Sequence, residues 1–499
     1  MVFAAILLAG VALALRLWEL ADRPLQYDEG QVAFFSWVLS ETGDYHYQPV
    51  LHGPVTYYLN ALAFVLVGAS DFTARLAPVL AGTLLVLLPF GLRRQLGQVG
   101  TLTAAGLLAI SPSFLYYSRF DREDIVVTCL ELALLVVGVR LFDRPRSWHP
   151  AALGALLAAC FATKESTFIT VAIVGAGLLG AQAGGWPVLR RLSSPGLRAW
   201  LLGALAFAVV YVLLFSKFLI HPEGVWDGLY TGPKYWAEQH DLNRGGEAWP
   251  LYVVMLVGQE WLVLALGLVG IAAAFVRRRG LDLFLVWVFA ASLAAYSYAG
   301  ERFAWLVLQP LLPLVLLGGI GMQWLWSARP RWRAPAAVAT GLAALLFAWT
   351  AIDVSVNHGT DPRELLVVVY TDPDVLEIRD RVLSLARRDP NLTVTVDGSE
   401  HSTFPWAWYF RDLNVHYADL DQPGFVPGTD VVVMSRPAYD LLARRPQGYR
   451  ARPFTQRRFW GRTYDSLTPA TLWRWMTTRR PWGNGVGSLG SVLLVRRPG

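Results

Sequence analysis

The sequence predicts a polytopic α-helical membrane domain followed by an extracytoplasmic α/β domain, and three observations support this fold class. First, 55% of the 499 residues are apolar, 16% are charged and the mean hydropathy is +0.40, whereas soluble globular proteins carry about 25% charged residues. Second, residues 351–499 hold 35 of the 80 charged side chains. Third, long apolar runs recur before residue 354. We therefore predict a membrane domain over 1–353 and a second domain over 354–499.

The membrane domain is predicted to contain about eleven spanning helices, since each span needs roughly 20 largely apolar residues. The segment 54–68 is short and rich in tyrosine at one end, and we predict that it is an interfacial helix in the first outer loop, residues 21–71. The predicted spans are about 2–20, 72–92, 99–118, 123–142, 150–164, 167–184, 199–219, 249–276, 281–299, 303–326 and 334–353.

The arginines predict the orientation of these spans. With 54–68 outside the membrane, the inner loops hold 14 arginines against two acids, whereas the outer loops hold 9 cations against 16 acids. Because cytoplasmic loops carry the excess of Lys and Arg, we predict a multi-pass protein of the plasma membrane with a cytoplasmic N-terminus and an extracytoplasmic C-terminal domain. The net charge of +6 is explained by this topology, so no nucleic-acid partner is expected. The inner arginines are Arg93, Arg94, Arg140, Arg144, Arg146, Arg190, Arg191, Arg198, Arg277, Arg278, Arg279, Arg329, Arg331 and Arg333.

The C-terminal domain has the alternating pattern of a small α/β fold. Helical spacing with a charged face predicts a helix over Pro373–Arg388. Such a domain could bind an acceptor or cap a site in the membrane domain. Short β-branched runs predict strands at Leu366–Tyr370, Leu392–Val396, Asp430–Met434 and Ser491–Val495.

An aromatic and basic group in this domain could stack on a sugar on the acceptor side. The alternative is a buried aromatic core helix, which is the interpretation that we favour. The group consists of Trp406, Trp408, Tyr409 and Arg411.

Four charged clusters fall on the predicted outer side, each beside an apolar helix. Taken singly, they could be solvated loop acids, self-paired helix-end charges or a snorkelling lysine. On a helix, Arg119 and Arg122 would share a face and could clamp an anion. Taken together, the clusters suit a substrate with an anionic head and an apolar tail, such as a lipid-linked phosphate. They are Tyr27–Gly30, Ser118–Asp124, Ala162–Glu165 and Gly300–Trp305.

The sequence predicts neither a metal site nor a nucleotide site. Zinc between His46, His52 and Asp28 is conceivable, but their spacing fits no compact ligand motif. Cys129 and Cys160 lie in apolar runs and offer no disulfide framework. The sequence contains no Walker, GxGxxG or HExxH motif.

The order of the motifs resembles the glycosyltransferase-C superfamily. Within it, the likeness is to protein O-mannosyltransferases and aminoarabinose transferases, and most of all to the prokaryotic flippase activity-associated proteins. It extends from the first helix to Trp305 and reappears at 404–412. The matching segments are YDEG (27–30), HGPVTYYLNAL (52–62), YYSRFDREDI (116–125), FATKES (161–166) and GERFAWL (300–306).

The resemblance implies roles for individual residues. Asp28 and Glu29 match the catalytic acidic pair of the superfamily's first outer loop. Two segments depart from the family pattern, since His52-Gly53-Pro54 replaces a Lys-Pro or Pro-Pro pair, and Glu301–Trp305 replaces Glu-Lys-x-Pro-Trp. The candidate substrate- and phosphate-binding residues are His52, Arg119, Arg122, Asp124, Lys164, Glu165, Glu301 and Arg302.

The implied activity is transfer of a hexose or pentose from a polyprenyl phosphate to an acceptor of the cell envelope, with inversion. Asp28 would act as base, Glu29 would orient Asp28 or an arginine, and cations would stabilise the leaving phosphate. The donor is a membrane lipid-linked sugar and the acceptor a protein, lipid or glycan. No cofactor is predicted with certainty, and a divalent metal and the oligomeric state stay open.

Two other function classes stay open. A flippase or flippase-associated protein would move the lipid-linked sugar without breaking a glycosidic bond. Glu131 and Glu260, inside predicted spans, would suit its translocation path, whereas the surface clusters suit catalysis. A non-catalytic assembly subunit would use its C-terminal domain to recruit a partner.

Overall fold

The computed structural model describes residues 1–239, 247–328, 330–422, 425–442 and 446–497. The part before residue 353 is helical, and the C-terminal part is a mixed sheet flanked by helices. The predicted fold class is therefore confirmed. Arg329, one of the arginines predicted to lie in inner loops, is outside the described residues.

Helices α1 to α19 form the membrane part. The first outer loop contains two of them, α2 and the predicted interfacial helix α3. The bounds are α1 Val2–Leu17, α2 Tyr27–Thr42, α3 Val55–Val67, α4 Asp71–Ala74, α5 Leu76–Leu87, α6 Arg93–Ile110, α7 Pro112–Tyr117, α8 Asp124–Asp143, α9 His149–Phe161, α10 Thr167–Ala183, α11 Val188–Ser193, α12 Leu197–Phe215, α13 Glu223–Trp226, α14 Gly232–Gln239, α15 Leu251–Gly258, α16 Trp261–Arg277, α17 Gly280–Tyr298, α18 Leu308–Ala328 and α19 Arg333–Ile352.

Several of these helices are long and apolar enough to cross a membrane. In the described part of the chain there are six, or seven if the bent pair α15–α16 is one span. Four further apolar helices, α1, α3, α9 and α10, have 10–17 residues. The chain is a multi-pass membrane protein, and the count of eleven spans is not confirmed.

The predicted span 249–276 is not a single straight helix. Its two parts, α15 and α16, meet at an angle of 99°. At the break, the buried Glu260 carboxylate accepts hydrogen bonds from Ser111 Oγ (2.9 Å) and from the backbone N–H of Ser113 (2.7 Å). Glu260 thus satisfies the N-terminus of α7, where free backbone donors favour an anion.

The core of the membrane part is helix α18, of which the apolar stretch is 94% buried. Small residues allow helices α6 and α16 to approach α18 closely, as in other pairs of membrane helices. A Cβ at Gly100 of α6 would lie 2.6 Å from Gly319 O, and a Cβ at Gly270 of α16 would lie 1.9 Å from Leu317 O. Glycine at these positions therefore sets the distance between the helices.

The C-terminal part is one six-stranded sheet in the order β1-β5-β6-β4-β2-β3. Strand β2 is parallel to β3 and β4, and the other pairs are antiparallel. The bounds are β1 Val369–Thr371, α20 Asp374–Arg388, β2 Thr393–Asp397, α21 Trp406–Tyr409, β3 Asn414–Ala418, β4 Val431–Ser435, α22 Arg436–Asp440, β5 Tyr449–Trp460, α23 Pro469–Thr478 and β6 Val486–Arg496.

The predicted helix and all four predicted strands are present with shifted bounds, whereas β3 and β5 were not predicted. Strand β5 contains Pro453 and several arginines, a composition that argues against a central strand. The short β1 pairs only with residues 457–459 of β5. Pro453 lies beyond that pairing, so its missing N–H costs no bond to β1.

The C-terminal domain is docked on the first outer loop and on α7. Tyr117 OH donates to Leu366 O (2.9 Å), and Trp408 Nε1 donates to Asp71 Oδ1 (2.7 Å). A Cβ at Gly30 would lie 3.0 Å from Pro405 Cα. The domain therefore covers the N-terminal turn of α2, which contains the acidic pair.

We expect Gly270→Ala to destabilise the membrane part, because its methyl group would overlap the backbone of α18. Overpacking of this kind costs about 1–3 kcal/mol, and the thermal unfolding midpoint in detergent should fall by several degrees. The matched control is Gly138→Ala in α8, where a Cβ meets no atom within 4 Å. Equal midpoints for the two variants would contradict the packing argument.

Candidate functional site

The acidic pair lies in the first turn of α2. Gln26 caps this helix, since its side chain accepts from Asp28 N (2.5 Å) while Glu29 Oε2 accepts from Gln26 N (3.0 Å). This capping box satisfies two backbone donors, and the positive end of the helix dipole favours both acids. The local sequence therefore holds Asp28 and Glu29 in defined and different directions.

Glu29 is fully buried and connects four parts of the chain. It accepts from Arg75 Nε (2.7 Å) and Nη2 (2.8 Å), from Asp121 N (2.9 Å) and from Tyr370 OH (3.1 Å). Burial disfavours the carboxylate, but the Arg75 guanidinium outweighs it and lowers the pKa of Glu29 to about 2. An ionised, enclosed carboxylate of this kind positions other groups and is not accessible to a substrate.

Asp28 is the accessible member of the pair, with 28% of its side chain exposed. Its Oδ2 contacts Arg122 Nη1. The Arg122 guanidinium lies over the Trp305 ring at 4.1 Å and also donates to Glu123 Oε1 (3.0 Å). Asp124 Oδ2 lies 3.4 Å from Arg122 Nε. Arg122 is therefore held between carboxylates and an aromatic face, with one carboxylate open to solvent.

Lys164 lies on the far side of the same carboxylates. Its Nζ donates to Glu123 Oε1 (2.9 Å) and Asp124 Oδ1 (2.6 Å), and the side chain is buried. Charge-assisted bonds of this type are short and strong. Lys164 thereby fixes the acids that hold Arg122.

His52 completes the cluster. Its Nδ1 lies 2.8 Å from Glu165 Oε2, and its Nε2 lies 3.3 Å from Arg122 Nη2. Tyr47 OH donates to the other oxygen of Glu165 (2.8 Å), and the Trp236 ring stacks on the imidazole at 4.7 Å. We name Asp28, His52, Arg122, Glu123, Asp124, Lys164 and Glu165 the arginine cluster.

The backbone explains why the His52-Gly53-Pro54 segment reaches this cluster. A Cβ at Gly53 would lie 2.2 Å from Ala162 O, and Val55 N donates to the same oxygen (3.0 Å). His52 itself has a φ of +60°, a strained value for a residue with a side chain. Close backbone contact thus joins the turn before α3 to the turn that presents Lys164.

Arg119 has a different environment from Arg122. Residues 118–123 do not form a helix, so the two arginines do not share a face as predicted. The Arg119 guanidinium donates to the carbonyls of Leu15, Arg16 and Glu19 at the end of α1, and its side chain is almost fully buried. It satisfies a helix C-terminus rather than facing the cluster.

Arg302 and Glu301 are also outside the cluster. Arg302 donates to the carbonyls of Glu247 and Ala299, both at 2.6 Å, and Glu301 is partly buried beside it. An open cavity of about 700 Å³ lies next to Arg302, with Trp249 and Tyr298 in its wall. Trp305 of the same segment contacts the cluster, since its ring lies under the Arg122 guanidinium.

The aromatic residues assigned to the acceptor side are buried. Trp406 and Trp408 have no exposed surface, and Tyr409 OH accepts from Leu25 N (2.8 Å). Arg411 lies over the Trp408 ring at 4.0 Å and donates to Ala69 O (3.1 Å). These residues are buried at the interface between the two domains, as the favoured alternative of a buried aromatic core predicts.

Several residues of the site were missed by sequence reasoning. Glu123 was in the quoted motif but was not among the candidate binding residues, and Tyr47, Arg75 and Trp236 carried no signal that separates them from other loop residues. Asp121 is fully buried against Asn60 Nδ2 (2.8 Å), and burial raises its pKa well above the usual range.

The two acids considered for a translocation path both have partners. Glu131 Oε1 accepts from Thr170 Oγ1 (2.7 Å), and Glu260 caps α7. Their hydrogen bonds join neighbouring helices, which is a structural use of a buried carboxyl group.

A protein-family model and several solved structures match this chain. A family model described as dolichyl-phosphate-mannose-protein mannosyltransferase matches residues 51–215. This segment is about a third of the chain and contains His52, Arg122 and Lys164, but not Asp28 or the C-terminal domain. No curated protein matches the sequence.

Solved structures match over most of the chain. ArnT from Cupriavidus metallidurans, bound to undecaprenyl phosphate, superposes with a TM-score of 0.67 at 16% identity, covering 91% of this chain and 96% of that one. The oligosaccharyltransferase AglB from Archaeoglobus fulgidus, in complex with an inhibitory peptide and a dolichol-phosphate, gives 0.56 at 13% identity, covering 83% and 64%. The chain has the glycosyltransferase-C fold.

A third solved structure is matched over less than half of its own length. The arabinofuranosyltransferase AftD from Mycobacteria superposes with a TM-score of 0.52 at 14% identity, covering 99% of this chain and 40% of that one. The fold that the motif resemblance implied is confirmed, while the likeness to flippase activity-associated proteins stays a prediction.

We expect Glu29→Gln to destabilise the protein strongly, because it leaves Arg75 buried with a neutral partner, a loss of about 3–5 kcal/mol. The folded-state pKa of about 2 is below the ordinary 4.5, so the stabilisation is present above pH 4.5 and is lost as pH falls through 2. The difference in unfolding midpoint between wild type and Glu29→Gln should therefore shrink over this range.

The control for this measurement is Glu41→Gln, at an exposed position near the end of α2. It should leave the midpoint unchanged. A Glu29→Gln protein as stable as wild type at neutral pH would contradict the role of the buried pair.

Proposed function

We propose that this protein is a membrane glycosyltransferase that moves a sugar from a polyprenyl phosphate to an acceptor hydroxyl, with Asp28 as the base. The observation that carries the proposal is the ion pair between Asp28 and Arg122. It joins a solvent-accessible carboxylate to a guanidinium that can bind a phosphate. A displacement at a glycosyl phosphate requires a base for the acceptor hydroxyl and a cation for the leaving phosphate, and this pair contains both groups.

The pairing suggests how the donor prepares the base. A phosphate is a bidentate partner for arginine, as a carboxylate is. When the donor phosphate binds Arg122, it takes the place of the Asp28 carboxylate. Asp28 is then free to accept a hydrogen bond from an acceptor hydroxyl. The base is thus released only when a donor is present.

The transfer is a single displacement. The acceptor oxygen forms a bond to the anomeric carbon while the bond from that carbon to the phosphate oxygen breaks, and the hydroxyl proton passes to Asp28. The attack comes from the face opposite the phosphate, so the configuration inverts. The bond electrons leave with the polyprenyl phosphate, whose growing charge Arg122 stabilises.

The remaining residues of the arginine cluster position this machinery. Lys164 and His52 contact the acids and the guanidinium, and Trp305 supports the face of Arg122. In this proposal the leaving phosphate is neutralised by Arg122, and no metal ion is assigned to Asp28.

The donor class is supported by two independent lines. The matched family model is named for a dolichyl-phosphate-mannose enzyme, and the ArnT and AglB structures contain undecaprenyl phosphate and a dolichol-phosphate. We extend this lipid-phosphate class to the present chain and propose a hexose or pentose as the sugar. The acceptor is a protein, lipid or glycan.

We also propose that the site faces the extracytoplasmic side of the plasma membrane. The arginine-rich loops at 93–94, 190–198 and 277–279 then face the cytoplasm, as the positive-inside rule requires. The C-terminal domain, which covers the acidic pair, lies on the same outer side. The N-terminus is cytoplasmic in this arrangement.

We expect the Asp28→Asn variant to lose most of its transfer activity and to keep its affinity for the lipid. Loss of the base should lower turnover about 10²- to 10⁴-fold. Binding of undecaprenyl phosphate should be equal or tighter, because the competing carboxylate is gone. The protein is reconstituted into vesicles and the release of free polyprenyl phosphate is measured by mass spectrometry. Transfer releases this product, whereas lipid scrambling does not.

The control is Asp22→Asn, an exposed acid in the same loop, which should leave turnover unchanged. Unchanged turnover in Asp28→Asn would refute the proposal, as would lipid scrambling without any release of polyprenyl phosphate.

Arg122→Gln and Arg119→Gln are expected to have different effects although the residues are three apart. Arg122→Gln should weaken undecaprenyl phosphate binding about 10- to 100-fold, since a hydrogen bond to a charged group contributes about 1.5–3 kcal/mol. Arg119→Gln should lower the unfolding midpoint and leave the Kd for the lipid unchanged. Tryptophan fluorescence titration measures the first effect and a thermal scan the second.

Equal losses of lipid affinity in both arginine variants would show that Arg122 is not the phosphate residue. Arg122→Lys, which keeps the charge but not the planar fork, should bind the lipid with intermediate affinity.

A further inference from the structure

Two histidines from separate parts of the chain meet on the outer surface. His46 lies between α2 and the turn before α3, and His221 lies just after α12. Their ring centroids are 4.0 Å apart. Each ring has a carboxylate beside it, since His46 Nδ1 is 3.3 Å from Asp44 Oδ1 and His221 Nδ1 is 3.1 Å from Glu223 Oε1.

We propose that Asp44, His46 and His221 form a divalent-metal site that joins the first outer loop to the segment after α12. One ligand atom from each of the three residues lies within 4.8 Å of the other two. Two imidazoles and a carboxylate are a donor set typical of zinc. The site is separate from the arginine cluster and does not depend on the proposed transferase activity.

The distances fit a tetrahedral ion. With bonds of about 2.0–2.2 Å, two ligand atoms of a tetrahedral zinc are about 3.3 Å apart. Asp44 Oδ1 and His46 Nδ1 already have this spacing. The remaining ligand separations are at most 4.8 Å, and the side chains of Asp44 and His46 have room to rotate because both are more than half exposed.

Glu223 supplies the outer support that metal-bound histidines usually have. Its carboxylate accepts from His221 Nδ1, which leaves Nε2 of that ring as the ligand atom. The ring centroids of His46 and His221 are 4.0 Å apart, so both imidazoles lie close enough to reach one ion.

The metal would stabilise loops that support the arginine cluster. Tyr47, next to His46, donates to Glu165, the partner of His52. Trp236, in the segment after His221, stacks on His52. Lys217 Nζ also contacts Gly43 O, which joins the same two parts of the chain. A bound ion would therefore restrict the loop that contains Tyr47 and the segment that places Trp236 on His52.

The test uses the purified full chain in detergent, stripped with a chelator, dialysed and titrated with zinc chloride alone. We expect one zinc per chain by elemental mass spectrometry and a rise of several degrees in the unfolding midpoint. His46→Ala and His221→Ala should each weaken zinc binding at least about 100-fold, and Glu223→Gln about 10- to 100-fold.

Three further variants separate a metal ligand from a merely structural side chain. His221→Cys should retain zinc, because a thiolate is also a zinc ligand. His416→Ala, at an exposed position on β3, and Asp28→Asn should retain one zinc per chain. The proposal is overturned if His46→Ala and His221→Ala bind zinc as wild type does, or if Asp28→Asn alone removes it.

Discussion

The buried ion pair between Glu29 and Arg75 is the contact on which the rest of the site depends. It connects the first turn of α2 with the start of α5, and the same carboxylate accepts from the backbone of Asp121 and from Tyr370 of the C-terminal domain. A charge buried this completely is tolerable only with several well-formed hydrogen bonds. Satisfying Glu29 therefore orients the two domains, and it leaves Asp28, its neighbour, directed toward solvent and Arg122.

The arginine cluster contains more carboxylates than cations. Of its four acids, Asp28, Glu123 and Asp124 contact Arg122 or Lys164. The fourth, Glu165, contacts His52. Three of these acids are buried and hold His52, Lys164 and the guanidinium in place, whereas Asp28 is partly exposed. An anionic ligand is expected to replace the acid that is easiest to displace. The burial of the other acids thus selects Asp28 as the group that changes partner.

Sequence reasoning identified the site segments better than it identified their contacts. The motifs containing Asp28, His52, Arg122 and Lys164 were predicted to act together, and they are adjacent in the structure. Arg119 and Arg122 were expected to share one helix face and to clamp an anion together. That expectation is wrong, because residues 118–123 do not form a helix and the two guanidinium groups contact different parts of the chain. The segment 249–276 was predicted as one span, since mean hydropathy does not show that Glu260 has its partner in α7. Strand β5 was missed because Pro453 and several arginines give it a composition that argues against a central strand.

The sequence by itself determined the membrane character, the α/β domain and the segments that contain the site, because hydropathy, charge sorting and short motifs are local properties. Only the tertiary structure decided which charges meet. Arg75 pairs with Glu29, Trp236 stacks on His52, and His46 contacts His221. The members of each pair are far apart in the chain. The physical reason is that burial and pairing depend on the packing of distant elements, and a linear pattern contains no information on those distances.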